Sequence, residues 1–281
     1  MRKKISLIKY KLNRFSKKVV SPFVQINSCP IFILGNQKSG TSAIAMLLAI
    51  STSHSVVIDL PGMYEPVQTS IHSGKVKFDD FIRSNRFDFS QNIIKEPCLT
   101  FLYSELKQFF PQARFVIIVR DPRDNIRSIL NRLEMRGDLE NIDHLINPNI
   151  SPEWQLVLDG RWLGLQGKTY IEMLSARWNR AADVYLKQTN EMFLVRYEDF
   201  IKDKVGTIER LARQLRLPRA NSISDKVDIQ YQARGNGGIS WEDFFGLKNL
   251  ECIEKICGSR MRMFGYNRPQ KPTDNRDYYA S

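Results

Sequence analysis

The stretch IFILGNQKSGTS, Ile31 to Ser42, decides how this chain is read. Four apolar residues end at Gly35, and small polar residues then lead into the apolar segment Ala43–Ile50. This order predicts a buried strand, a loop, and a helix from about Gly40 to Ile50. A helix start leaves backbone N–H groups free, and the helix dipole favours an anion there. Gly40 permits close backbone approach, Lys38 adds a full charge, and Ser39, Thr41 and Ser42 add hydroxyl donors. The set fits a phosphate group. Its order is unusual, because the common nucleotide loop G-x-x-x-x-G-K-[ST] places lysine after the second glycine. Here Lys38 comes before Gly40.

Working outward, Val56–Ile58, Ile93–Ile94 with Lys95, Phe115–Val119 and Met192–Val195 read as further short strands. Helices are expected at about Thr100–Phe109, from Pro122 with Asp121 as its cap and Asp124 in the first turn, and at about Thr169–Thr189. Strands alternating with helices predict an α/β, P-loop-like three-layer fold with a central, mainly parallel five-stranded sheet flanked by helices. Two regions break the alternation. Residues 134–167, rich in glycine and proline and carrying Trp154 and Trp162, read as an insertion of the kind that shapes ligand pockets. Gly235, Gly237 and Gly238 mark a second irregular region between Gln230 and Ser240. The expected organisation is a basic amphipathic arm (1–28), one main domain (29–267) and a polar tail (268–281).

The totals narrow the class. A chain of 281 residues, 42% hydrophobic and 11% aromatic, can bury a substantial core. Its longest apolar run, Ala43–Ile50, falls far short of the ~20 residues of a membrane span. The N-terminus lacks the apolar core of a signal peptide, so a cytoplasmic location is expected. Cys29, Cys98, Cys252 and Cys257 form no zinc pattern and are read as reduced thiols.

The net charge of +12 comes from 42 basic and 30 acidic residues, and nine of the basic ones precede the first acid, Asp59. The remainder is therefore only +3, from 33 basic minus 30 acidic residues. The excess marks a basic arm rather than a nucleic-acid-binding domain. Within it, Ile5, Ile8, Leu12, Phe15 and Val19 recur at helical steps. That face fits peripheral contact with an anionic membrane, or packing on the domain with the lysines in water; both readings stay open.

Parallel α/β sheets bind ligands at the carboxyl ends of their strands. Gly35–Ser42 lies at one such end and Arg120 at another, with Ser128 eight residues on, in the following helix. A strand-end arginine and a helical serine are placed to converge on one phosphate.

Together, GNQKSGTS and FVIIVRDPRDNIRSIL resemble the two donor-binding signatures of the sulfotransferase superfamily, whose members use 3′-phosphoadenosine 5′-phosphosulfate. The family's first loop has the form x-K-S/G-G-T-S/T, which accounts for the forward lysine. The resemblance implies that Gln37, Lys38, Ser39, Gly40, Thr41 and Ser42 hold the 5′-phosphosulfate, and that Arg120 and Ser128 hold the 3′-phosphate. VRYEDF resembles a strand-end motif whose tyrosine, here Tyr197, lies near the adenine. QARGNGGISW resembles a loop over the 3′-phosphate, with Arg234 and Gly235 in its Lys-Gly places and Ala233 where an arginine is usual. Ile253–Tyr266 resembles the family's last helix and its final F/L-G-Y, so the likeness runs from about Pro30 to Tyr266.

Two departures matter. Ala43 stands where the phenol and steroid enzymes have an adenine-stacking tryptophan, and Ile94-Lys95-Glu96-Pro97 lacks their catalytic histidine. IIKEP and GMYEP look more like the carbohydrate and bacterial branches, where a glutamate after the second strand serves as base; Glu65 is the matching residue. The implied reaction is in-line transfer of a sulfuryl group to a hydroxyl on a carbohydrate or glycolipid, with no metal. Lys38 is expected to stabilise the leaving group, Glu65 to take the proton, and Lys95 to orient the sulfuryl group or acceptor. His54, His72 and His144 are alternative bases, and Trp154, Trp162 and Trp178 are either sugar-stacking or core residues. A P-loop kinase using ATP and magnesium is the competing enzyme reading. A non-catalytic nucleotide-binding module at a membrane surface is the competing non-enzyme reading.

Overall fold

The computed structural model describes residues 24–139, 150–229 and 238–267. Five strands form one sheet: β1 (Ile31–Gly35), β2 (Val56–Ile58), β3 (Ile93–Lys95), β4 (Arg114–Val119) and β5 (Met192–Arg196). Their order is β2-β3-β1-β4-β5, and every neighbouring pair is parallel. The expected α/β architecture is the observed one.

The alternation of side chains along a strand sends them to opposite faces, and here both faces are buried. Ile31, Ile33, Ile93, Val116, Ile118 and Val195 pack on one side against α1 (Thr41–Thr52) and α10 (Lys204–Gln214). On the other side, Phe32, Leu34, Ile94, Phe115, Ile117 and Val119 face α5 (Tyr103–Phe109), α6 (Pro122–Arg132), α8 (Tyr170–Leu186) and α11 (Trp241–Met263). Continuous apolar strands with no polar face are what a two-sided parallel sheet needs. Shorter helices fill the crossovers: α2 (Val67–His72), α3 (Phe78–Ser84), α4 (Arg86–Phe89), α7 (Pro152–Leu158) and α9 (Tyr197–Lys202).

Local chemistry accounts for the boundaries. The carboxylate of Asp121 accepts from Arg123 N and caps α6, with Pro122 at the first helical position, as the sequence predicts. The helix expected from Thr100 instead starts at Tyr103, after a 3-10 turn over Pro97–Leu102. A local cap and two tertiary bonds hold that turn: Glu96 accepts from Cys98 N, and the fully buried Thr100 hydroxyl is bonded to both N and O of Gly35. Residues 134–167 are not one irregular insertion, because α7 and a 3-10 turn over Gly160–Leu163 lie within it.

The sheet order reverses between β1 and β4, so the loops after these two strands flank a crevice at the carboxyl edge. Among the described residues no helix is long and apolar enough to cross a membrane.

Candidate active site

The loop after β1 is held from below by a buried polar network. Asn125, on α6, donates to Gln37 O (2.8 Å) and Ser39 Oγ (3.0 Å), and its Oδ1 accepts from Asn36 Nδ2 (2.9 Å). Lys38 takes a left-handed backbone (φ 66°) and its carbonyl accepts from Arg120 Nη1 at 3.0 Å. Gly40 is the non-helical cap residue of α1 at φ 88° and makes no side-chain cap hydrogen bond. A Cβ on Gly40 would sit 2.3 Å from the Tyr197 ring, so glycine is required here on two grounds. Arg120 stacks over the other part of this cluster, its guanidinium 4.6 Å from the Tyr197 ring centre. The two sequence signatures and the tyrosine of VRYEDF thus form one packed unit.

Around it opens a cavity of about 770 Å³. Gln37, Lys38, Gly40, Thr41, Ser42, Lys95, Arg120, Ser128 and Tyr197 all line it. Ser39 does not, since it is 1% exposed and its hydroxyl is engaged by Asn125. Lys38 is held below the ordinary lysine range, first by burial and then by Arg132, Arg120 and Lys95. Cations gathered in a half-buried crevice raise one another's energy, and an anion relieves that repulsion.

Lys95, at the end of β3, is 2% exposed and its ammonium pairs closely with Asp59, just after β2. Glu96 accepts from the N–H groups of Leu60 (2.9 Å) and Cys98 (3.0 Å), and burial raises its pKa. Asp59 and Glu96 line the cavity; Glu65 does not. One Glu65 oxygen accepts from Thr69 at 2.7 Å, while the other is buried without a partner. His72 packs edge-on against Trp162, and its pKa is lowered to about 4, mainly by burial, so it is neutral. His54 is bonded through Nδ1 to Thr52 O at 2.8 Å, away from the cavity. The tryptophans divide: Trp154 lines the cavity, Trp162 packs near Phe101, and buried Trp178 donates to Arg120 O at 2.8 Å.

Arg234 and Gly235 lie outside the described residues, as do Ala233, His144, the first 23 residues of the arm and the polar tail. Trp241, among the described residues, donates to Asp124 at 2.9 Å and stacks 3.9 Å from the Arg123 guanidinium. Among the described residues, no group of three or more His, Cys, Asp or Glu could hold a metal ion.

Asp59, Asn125 and Arg177, which donates to Gln37 Oε1 at 2.9 Å, carry parts of this site that sequence reading missed. Asn125 lies inside VRDPRDNIRS and could have been noticed there; Arg177 stands in a helix with no motif around it.

A family model described as "Sulfotransferase family" matches residues 63–221, more than half of the chain. No curated protein matches at a significant level. Among solved structures, the sulfotransferase STF9 from Mycobacterium avium aligns with a TM-score of 0.52 at 12% identity, covering 91% of this chain and 81% of that one. Mouse sulfotransferase SULT7A1, complexed with PAP, aligns at 0.50 with 14% identity, covering 88% of this chain and 89% of that one. At these identities the likeness is one of fold.

Proposed function

This chain belongs to the sulfotransferase family, and on that premise we propose that its cavity takes 3′-phosphoadenosine 5′-phosphosulfate with the phosphosulfate on Gln37–Ser42 and the 3′-phosphate at Arg120 and Ser128. One observation carries this reading: the loop after β1 and the Arg120–Ser128 segment line the same cavity. The complex of mouse SULT7A1 with PAP supports it.

The reaction moves the sulfuryl group to an acceptor hydroxyl. A new S–O bond forms, the bond to the bridging phosphate oxygen breaks, and adenosine 3′,5′-bisphosphate (PAP) leaves. Charge builds on the departing oxygen, as in phosphoryl transfer. Lys38 and the N–H groups at the start of α1 stabilise that charge. Lys95, across the cavity, orients the sulfuryl oxygens. The acceptor's proton goes to a carboxylate, and we assign it to Asp59 rather than Glu65. Asp59 lines the cavity and its side chain is 47% exposed, whereas the unpartnered oxygen of Glu65 is sealed from solvent. Glu96 has both oxygens committed to backbone N–H groups.

The acceptor is a carbohydrate or glycolipid. Tyr64 and Trp154 line the cavity and suit the apolar face of a sugar, with Gln68 and Ser151 for its hydroxyls. Labelled sulfate donor and a panel of sugars, glycolipids and phenols test this: labelling confined to phenols would remove the carbohydrate assignment. Arg120→Ala is expected to weaken PAP binding by ~1.5–3 kcal/mol, the range for a charged hydrogen bond, and to leave acceptor binding nearly unchanged. Calorimetry with each ligand reads both. The protein works in the cytoplasm, with its basic arm on anionic lipid; removing the first 20 residues is expected to abolish sedimentation with anionic vesicles and to leave turnover of a water-soluble acceptor intact.

A further inference from the structure

Arg177 on α8 is fully buried, yet it pairs with no carboxylate among the described residues. Its guanidinium donates from Nε to Asn36 Oδ1 (3.2 Å), from Nη2 to Gln37 Oε1 (2.9 Å) and from Nη1 to Leu156 O (3.5 Å). Two aromatic rings also pack against it, Phe101 at 4.6 Å and Trp162 at 5.7 Å from ring centre to guanidinium. Cys98 is close by, but burial raises its thiol pKa and leaves it uncharged. Burial likewise pulls the arginine down to about 10. A buried cation without a counter-ion is costly, and replacing buried charge by well-packed apolar residues is often neutral or stabilising.

What it touches suggests the requirement. Asn36 and Gln37 begin the loop after β1, and Gln37 itself lines the cavity. From these contacts and the lack of a counter-ion among the described residues, we infer that Arg177 is a positioning residue of the donor site: it fixes Asn36 and Gln37 and sets a positive charge beneath the phosphosulfate loop. This rests on the donor reading above. The anion that neutralises Arg177 is then the donor, acting through one layer of amide side chains. At such range, in a medium of intermediate dielectric, one charge is still felt.

The test uses the full-length protein and PAP as the probe. Arg177→Met is expected to weaken binding by about tenfold. Donor KM should rise by a similar factor, while kcat at saturating donor changes by less than about threefold, the pattern for lost uniform binding. Arg177→Lys, which keeps the charge, should recover most of the affinity. Should the methionine variant not fold, Arg177→Gln, which can still bond Asn36, carries the same expectation. Folded neutral variants that bind PAP as tightly as wild type would overturn the inference and assign Arg177 to packing alone. Wild-type protein that ignores PAP would instead overturn the donor reading, and this one with it.

Discussion

Lys38→Ala is expected to lower kcat by ~10²–10³, the usual loss when one preorganised donor to a developing oxyanion is removed. The effect belongs to turnover because the charge this lysine meets grows during the reaction. The left-handed backbone at residue 38 and the bond from Arg120 to its carbonyl fix the main chain from which the side chain reaches the cavity. PAP should therefore bind the variant several-fold more weakly, a smaller change than that in rate. The pH dependence adds an independent check. In the free protein Lys38 is held below 10.5 by burial and by Arg132, Arg120 and Lys95. A bound anion restores its proton affinity, so binding takes up a proton in the window between the free and bound pKa values. Affinity is then highest below the free-state pKa and falls as pH rises through it. Folding stability has the opposite sign in the same region: the unfolded lysine binds more protons, so the free protein gains stability with rising pH. Calorimetry across that range should show the decline for wild type and lose the lysine's part of it in Lys38→Ala. Near-normal turnover in the variant would remove Lys38 from the mechanism.

The second large effect separates two carboxylates. Asp59→Asn is expected to lower kcat by ~10²–10⁴, the range for a general base, whereas Glu65→Gln should keep turnover within about threefold of wild type. Asp59 also neutralises Lys95, so its loss leaves an ammonium that is 2% exposed without that partner. Breaking a fully buried pair costs ~3–5 kcal/mol. Here Asp59 is half exposed and Glu96 lies close to the same lysine, so the loss of stability should be clearly smaller. Thermal unfolding of both variants, measured beside the rates, keeps the two effects apart. The reverse result, an inactive Glu65→Gln beside an active Asp59→Asn, would return the base to Glu65 and require that segment to move when the acceptor binds.

Local signals carried much of the fold. Ile31–Leu34 and Phe115–Val119 announce buried strands because both faces are apolar, and Asp121-Pro122 announces a helix start because proline and a capping carboxylate both suit one. The end of Ile93–Lys95 was harder to read. Thr100 lies in the 3-10 turn before α5, and its hydroxyl is bound to Gly35, a partner 65 residues away that no window of sequence reveals.

The site divides along the same line. The loop and the arginine–serine pair were legible because their chemistry is local: a helix start, a glycine, a lysine, and a guanidinium two turns from a hydroxyl. Arg177 was not, and Asn125 stood inside the signature without showing its partner, since each acts across more than 80 residues of chain. The sequence alone settled that the first strand ends in a polar loop carrying Lys38 and opens a helix after Gly40, because a strand end, a glycine and a helix start depend only on neighbours. Tertiary structure decided which carboxylate faces the cavity: Asp59 is turned to it by the pairing of β2 with β3, and Glu65, six residues on, is folded behind the wall. Exposure is a property of packing, and packing is set by contacts that lie far apart along the chain.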